Sequence, residues 1–299
     1  PGSIVMLTFL VRRRGIAGGG GIGAHGAGPL LPGVKAEGQK LSLPQGLRGI
    51  EDAFGAVVDP RLSVLDPIPE SVRTSAALLA TVLGQDIGLG ALARLLRELD
   101  RRLGDRLLAV SASEWGELEK ACRMGFLAEW PHKDSLAGWV LSVSDFLRSH
   151  GGPSNWKKEF GAPAEMVGAW ARELPWMGSR SPSKVKGWRL ARWLVRHELP
   201  GTGWNASDRT ALVLPVVAVE RPLRSLGWLP SGWSEWPIGR KQEWFDERLR
   251  RSAPHDPTSL WSPLETILSR GRSGPACQDH LRGCKTCPVR SDCPSPGRI

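Results

Sequence analysis

Four cysteines near the C-terminal end, Cys277, Cys284, Cys287 and Cys293, follow one another in the spacing C-x6-C-x2-C-x5-C. Thiolates are ligands for soft metals, and four of them in one short segment can enclose a single compact inorganic centre. A [4Fe–4S] cluster is the natural occupant. Zinc is a rival, but four-cysteine zinc sites usually set two C-x2-C knuckles apart by a longer spacer. This chain has one knuckle, Cys284-Lys285-Thr286-Cys287, with a single cysteine on each flank. Disulfides are a second rival. Against them, the apolar run from Ile4 to Val11 precedes Arg12-Arg13-Arg14, the reverse of the order in a secretory signal. A fifth cysteine, Cys122, lies in an apolar helical stretch and reads as a core residue.

The elements that must position these residues read as helices. From Val72 to Leu103, Leu78, Leu79, Val82 and Leu83, then Leu89, Leu92, Leu95, Leu96 and Leu99, recur at three- and four-residue steps. Gly84-Gln85-Asp86-Ile87-Gly88 interrupts them as a polar break. Further helical stretches run from Ser113 to Ala128, Asp134 to Ser149, Ala164 to Glu173, Val185 to His197 and Glu243 to Arg251, with a short one near Leu264 to Arg270. The one β-branched run, Ala211 to Val219, is interrupted by Pro215. The fold class expected is therefore all-α.

Residues 1–48 are rich in Gly and Pro, as in Gly18-Gly19-Gly20-Gly21, and are expected to be a disordered leader. With 40 Lys and Arg against 30 Asp and Glu, the chain of 299 residues carries a formal charge of +10. Such a balance suits a polyanionic partner, because cations that neutralise phosphates release condensed counterions, and it equally suits a merely basic soluble protein. No apolar run is long enough to span a membrane.

The cysteine spacing resembles that at the C-terminus of endonuclease III and its relatives among the helix-hairpin-helix DNA glycosylases, including the adenine glycosylases that act on mismatches. The resemblance covers about residues 50–299. It implies two helical domains with a DNA groove between them. Residues 49–72 would be an N-terminal piece of the cluster domain, 73–219 a six-helix barrel, and 220–299 a domain holding a [4Fe–4S] cluster on Cys277, Cys284, Cys287 and Cys293. The implied activity is base excision repair: removal of a damaged or mismatched base from double-stranded DNA by hydrolysis of its N-glycosidic bond. The implied protein is a monomer that acts at the nucleoid of the cytoplasm, away from any membrane.

In that family a hairpin of the form Leu-Pro-Gly-x-Gly binds the phosphate backbone through amide N–H groups at a helix N-terminus. Bifunctional members place a lysine just after it, and an aspartate further along stabilises the oxocarbenium-like sugar or activates the nucleophile. Each part has a candidate here that departs from the pattern. Glu220 stands where the aspartate is expected, in Val217-Ala218-Val219-Glu220-Arg221-Pro222. Its extra methylene reaches roughly an ångström further, an error that can cost about a hundredfold in rate. Equally, Glu220 can serve as a helix N-terminal carboxylate.

Two hairpin registers compete. In one, Leu199-Pro200-Gly201-Thr202-Gly203-Trp204-Asn205 is the hairpin and Asn205 replaces the lysine. In the other, which we prefer, the hairpin spans Met177 to Lys186 and leads into one uninterrupted helix with Trp188, Ala191 and Leu194 on a face. Lys184 and Lys186 are then the candidate nucleophiles, or else solvated DNA-facing cations. Gly178, Gly201 and Gly203 would give phosphate access to open backbone. Gln85 resembles the family's glutamine that fills the gap left by a flipped base, and its alternative role is in a helix cap and turn. The expected activity is monofunctional, with a non-catalytic or weakly active DNA-binding paralogue as the alternative.

Overall fold

The computed structural model describes residues 59–178, 181–225 and 228–268. The leader, residues 49–58 and all four C-terminal cysteines lie outside these residues. Ten α-helices are found among the described residues, with no strand. They are α1 (Glu70–Leu83), α2 (Leu89–Leu103), α3 (Trp115–Cys122), α4 (Leu136–His150) and α5 (Pro153–Phe160). After these come α6 (Pro163–Glu173), α7 (Val185–Val195), α8 (Val216–Ser225), α9 (Ile238–Ser252) and α10 (Trp261–Leu268).

The leucine periodicity maps directly onto packing. In α2 the buried residues are Leu92, Leu95, Leu96, Leu99 and Leu103, one stripe of an otherwise charged helix. The helix stops at Gly104, whose φ of 55° suits glycine. A capping box between Ser111 and Glu114 opens the turn that leads into α3. Cys122 closes α3 as a buried residue, and burial pushes its thiol pKa up to about 12.

Two segments differ from expectation. The break at Gly151-Gly152-Pro153 contains the start of an extra helix, α5, because proline at a first helical position is pre-set for the helix and forfeits no hydrogen bond. The β-branched run ends in a helix as well: Val216 to Ser225 is α8, entered directly after Pro215 and carrying Pro222 inside. Tertiary burial of Val216, Val219 and Leu223 on one face overrides the strand preference of the run.

The apolar residues gather in two clusters. The larger extends from Val64 to Leu212 and includes the fully buried Trp156 and Trp170. The smaller extends from Leu214 to Leu264 and centres on Trp261 and Phe245. Trp188 of α7 packs against both. Residues 59–72 bury Val64, Leu65 and Ile68 in the larger cluster and reach the other through Arg61, which donates to Glu265 of α10 at 2.9 Å.

Helices α6 and α7, joined by residues 174–184, pack against each other with close backbone approach. A Cβ built on Gly187 would lie 2.9 Å from Cγ1 of the buried Val167. Gly187→Ala is therefore expected to destabilise the protein by about 1–3 kcal/mol, read from the midpoint of denaturant unfolding at unchanged m.

Candidate active site

Five segments close around one cavity of about 410 Å³: the turn Pro60–Leu65, the end of α1, the break Gly84–Gly88, the start of α2 and one side of α7. That size falls in the range of about 300–1,000 Å³ of small-molecule sites. The walls are largely apolar, with Leu65, Ala80, Ile87 and Leu92 among them, and Thr81 adds a hydroxyl. On α7, Lys186, Arg189 and Trp193 recur at helical spacing and all border the cavity.

Lys186 is the candidate nucleophile that this arrangement favours. Its Nζ is buried and has no hydrogen-bond partner among the described residues. Burial pulls its pKa down to about 8; Asp86 works in the opposite direction, and Arg189 adds to the fall. A lysine so placed is partly neutral near physiological pH and can act as a nucleophile. Lys184, the other candidate, sits outside the cavity lining as the N-cap of α7, in the left-handed region with φ of 43°.

The rim opposite Lys186 is the break between α1 and α2. Asp86 has φ of 53° and is kept ionised by a hydrogen bond from Gln85 at 2.9 Å and a second one with His132 at 3.1 Å. Gln85 thus turns its amide toward its neighbour, while its carbonyl oxygen accepts from Nε1 of Trp130 at 2.9 Å. Gly178 follows on the α6–α7 turn with φ of 101°, and a Cβ there would meet Cα of Lys184 at 3.1 Å. Any side chain at Gly178 would push Lys184, and with it the first turn of α7, out of place.

Four described residues other than glycine have positive φ: Asp86, Trp176, Lys184 and His197. His197 follows the end of α7, where a left-handed residue is usual. The other three lie close to one another outside the cavity lining: His132 bonds Asp86 and packs on Trp176, and Gly178, two residues on, abuts Lys184. Such strain costs on the order of 1–3 kcal/mol per residue and gathers at functional sites.

Behind the cavity lies a buried charge network. Asp59 accepts from the backbone N–H of Arg61 at 3.0 Å and from Nε1 of Trp193 at 3.2 Å, with Arg189 and Arg192 at 3.8 and 3.9 Å. Arg192 also donates to Glu198 at 2.9 Å, and Arg196 pairs with Asp256 at 3.0 Å. Arg189 pairs with Glu265 and stacks its guanidinium 5.1 Å from the Trp261 ring. These contacts fix the face of α7 that presents Lys186.

Glu220 does not join the cavity residues. Burial tends to raise its pKa, but hydrogen bonds from Arg224 at 2.7 Å and Trp233 Nε1 at 2.9 Å, with Lys241 at 3.7 Å, hold it below the ordinary range. Gly201 and Gly203 are left-handed, with φ of 68° and 67°, in the turn from α7 to a short 3-10 helix, Ala206–Ala211. Gly201 borders a separate surface pocket, and Gly203 abuts the carbonyl of Ser154. Asn205 caps that 3-10 helix through Ser207 N–H. The structure thus joins Lys186 to the Gln85 break and to the Gly178–Lys184 turn, and leaves Gly201, Gly203 and Glu220 elsewhere. Asp86, Arg189 and Trp176 were missed by sequence reasoning; the only signal was that Asp86 adjoins Gln85.

Comparison of the chain with protein families, with curated proteins and with solved structures finds no match. Among the described residues no group of His, Cys, Asp and Glu is arranged to hold a metal, and no helix is long and apolar enough to cross a membrane.

Proposed function

We propose that the chain is a DNA repair glycosylase that takes a damaged or mismatched base of double-stranded DNA into the cavity beside Lys186. The observation that carries this is the unpartnered Nζ of Lys186, lowered to a pKa of about 8, at the wall of a largely apolar cavity. The turn from α6 that ends at Lys184 and the rim residue Gln85 fit the same function, as does a net charge of +10. Because Lys186 and not Lys184 borders the cavity, the preferred nucleophile becomes the lysine rather than an activated water.

Neutral Nζ attacks C1′ of the deoxyribose, the glycosidic bond breaks, and its electron pair leaves with the base, which takes up a proton. The secondary ammonium then gives one proton to O4′ as the ring opens, leaving an iminium between lysine and sugar. Asp86, ionised and in electrostatic reach of Lys186, favours the positive charge that develops there. Arg61 and Arg189, cations on the cavity wall, favour a departing base that carries negative charge.

Cys277, Cys284, Cys287 and Cys293 would hold a [4Fe–4S] cluster, a donor set that suits it, and the cluster would stabilise the C-terminal loop. A second function is favoured by one observation: Glu220 is tied to Arg224 and Trp233, outside the cavity. A chain without that carboxylate at the site suits a weakly active or non-catalytic DNA-binding paralogue.

The experiment is base release from duplexes bearing oxidised, deaminated or mismatched bases, with borohydride trapping and a visible spectrum on the same anaerobic preparation. Release with a trapped adduct that disappears in Lys186→Ala supports the lysine glycosylase. A broad band near 400 nm, typical of a [4Fe–4S] cluster, with DNA binding but no release from any substrate, supports the paralogue. A colourless protein without release overturns both.

A further inference from the structure

We infer that Trp176 and His132 form a second nucleic-acid subsite, a stacking platform for an unpaired nucleobase next to the one taken into the cavity. The inference rests on the DNA function proposed above and adds to it a site with its own residues. Trp176 is 46% exposed, whereas Trp130 and Trp139, its partners in the same aromatic array, are buried. The rings are ordered: His132 lies 5.0 Å from Trp176 and 5.3 Å from Trp139, and Trp139 lies 5.9 Å from Trp176 at 67°. Trp130 supports the array from below, edge-on to both His132 and Trp139 at 5.7 Å.

An exposed indole held by an edge-on neighbour and a tilted imidazole has a defined orientation with one part of its surface free. Base stacking on aromatic side chains uses such a surface and tolerates any sequence, because every base has a π-face. Trp176 adopts a φ of 61° that a bulky residue rarely takes, and at 46% exposure it still leaves much of its ring open.

The occupant is indicated by what surrounds the platform. His132 bonds Asp86, and Trp130 bonds the Gln85 carbonyl, so the array is fastened to the rim of the cavity. On the other side, Trp176 leads through Met177 to Gly178, which touches Lys184 at the start of α7. Lys133 follows His132 in the chain, with its Nζ donating to the Ala128 carbonyl at 2.6 Å, and Lys184 lies against Gly178, two residues after Trp176. An aromatic face with two lysines nearby in the chain, fastened to the break that also borders the cavity, suits a nucleotide and disfavours an apolar peptide.

The test is fluorescence anisotropy of labelled DNA with the full chain and three variants, Trp176→Ala, Trp176→Phe and Trp176→Gly. Three ligands are compared: intact duplex, duplex with a stable abasic-site analogue, and single strand. Trp176→Ala is expected to bind the abasic duplex and the single strand roughly 5- to 100-fold more weakly, the range of one lost stacking contact. Intact duplex should be affected by less than about threefold, and Trp176→Phe should recover most of the loss. Trp176→Gly, which relieves the backbone, should lose the same affinity while its melting temperature rises by about 2–4 °C, so that lost binding cannot be ascribed to misfolding. Equal binding by wild type and Trp176→Ala overturns the platform and leaves the DNA function standing. No binding of any DNA by the wild type overturns both. A change in sedimentation with unchanged DNA affinity in Trp176→Ala would assign the indole to a contact between two copies of the chain and overturn the platform.

Discussion

Lys186→Met is expected to abolish the borohydride-trapped adduct, to lower base release roughly 10²- to 10⁴-fold, and at the same time to make the protein more stable at neutral pH. The pKa of this lysine falls from 10.5 in the free residue to about 8 in the folded chain, chiefly through burial. Between those values the unfolded chain binds more protons than the folded one, so stability rises with pH across that window. Below about pH 8 the full penalty of burying the ammonium is present. Methionine keeps the shape of the stem and removes the charge, so the variant gains on the order of 1–3 kcal/mol at pH 7. The gain should vanish as pH approaches 10.5. The wild-type rate has the same origin: only the neutral amine attacks, so activity rises with pH and levels off above about pH 8. Urea denaturation and single-turnover base release, each followed from pH 6 to 10, check both profiles. A rate independent of pH through 8 would remove Lys186 from the nucleophile's role. Opposite signs on stability and activity mark a residue retained for chemistry.

Asp59→Ala is expected to cost about 3–5 kcal/mol, the range for removing one partner of a buried ion pair. The carboxylate is 1% exposed, as is Arg192, and its two oxygens face Arg61, Arg189, Arg192 and Trp193. Without it, three guanidinium groups face one another across an apolar junction, with Glu198 and Glu265 left as counter-charges. Asp59→Asn, which keeps one acceptor oxygen, turns the other into a donor and loses the charge, should fall between the wild type and alanine. The midpoint of guanidinium unfolding reads the loss, and base release by Asp59→Asn, assayed where it is still folded, reads whether the face of α7 has shifted. An Asp59→Ala variant within 1 kcal/mol of the wild type would show that the network contributes little to the junction, as exposed ion pairs do.

Much of the helical fold is legible in the sequence because burial on one side of a helix leaves a period of three and four. The stripe of α2 from Leu92 to Leu103 is the clearest instance. Helix α8 was not legible: Val216, Val217 and Val219 favour strand locally, and only the packing of Val216 and Val219 against α10 decides the matter. At the site, Lys186 could be named from its place at the start of a helix, but not chosen over Lys184, because the two differ only in which side of the first turn faces the cavity. Glu220 had the right chemical type in the expected stretch, yet Trp233 and Lys241, distant in sequence, determine its partners. Trp176 was hidden by composition, since a tryptophan in an apolar chain is counted toward the core. Its left-handed backbone, like those of Asp86 and Lys184, leaves no glycine to betray it.

Helix α7 carries Lys186 into the cavity, Trp188 between the two apolar clusters, and Arg189 onto Trp261 of α10. Burial lowers the pKa of the Lys186 amine, and Arg189, itself held by Glu265 and Trp261 of α10, adds to the fall. The low pKa is thus a property of the completed fold, since a hydrated lysine in the unfolded chain stays charged at neutral pH.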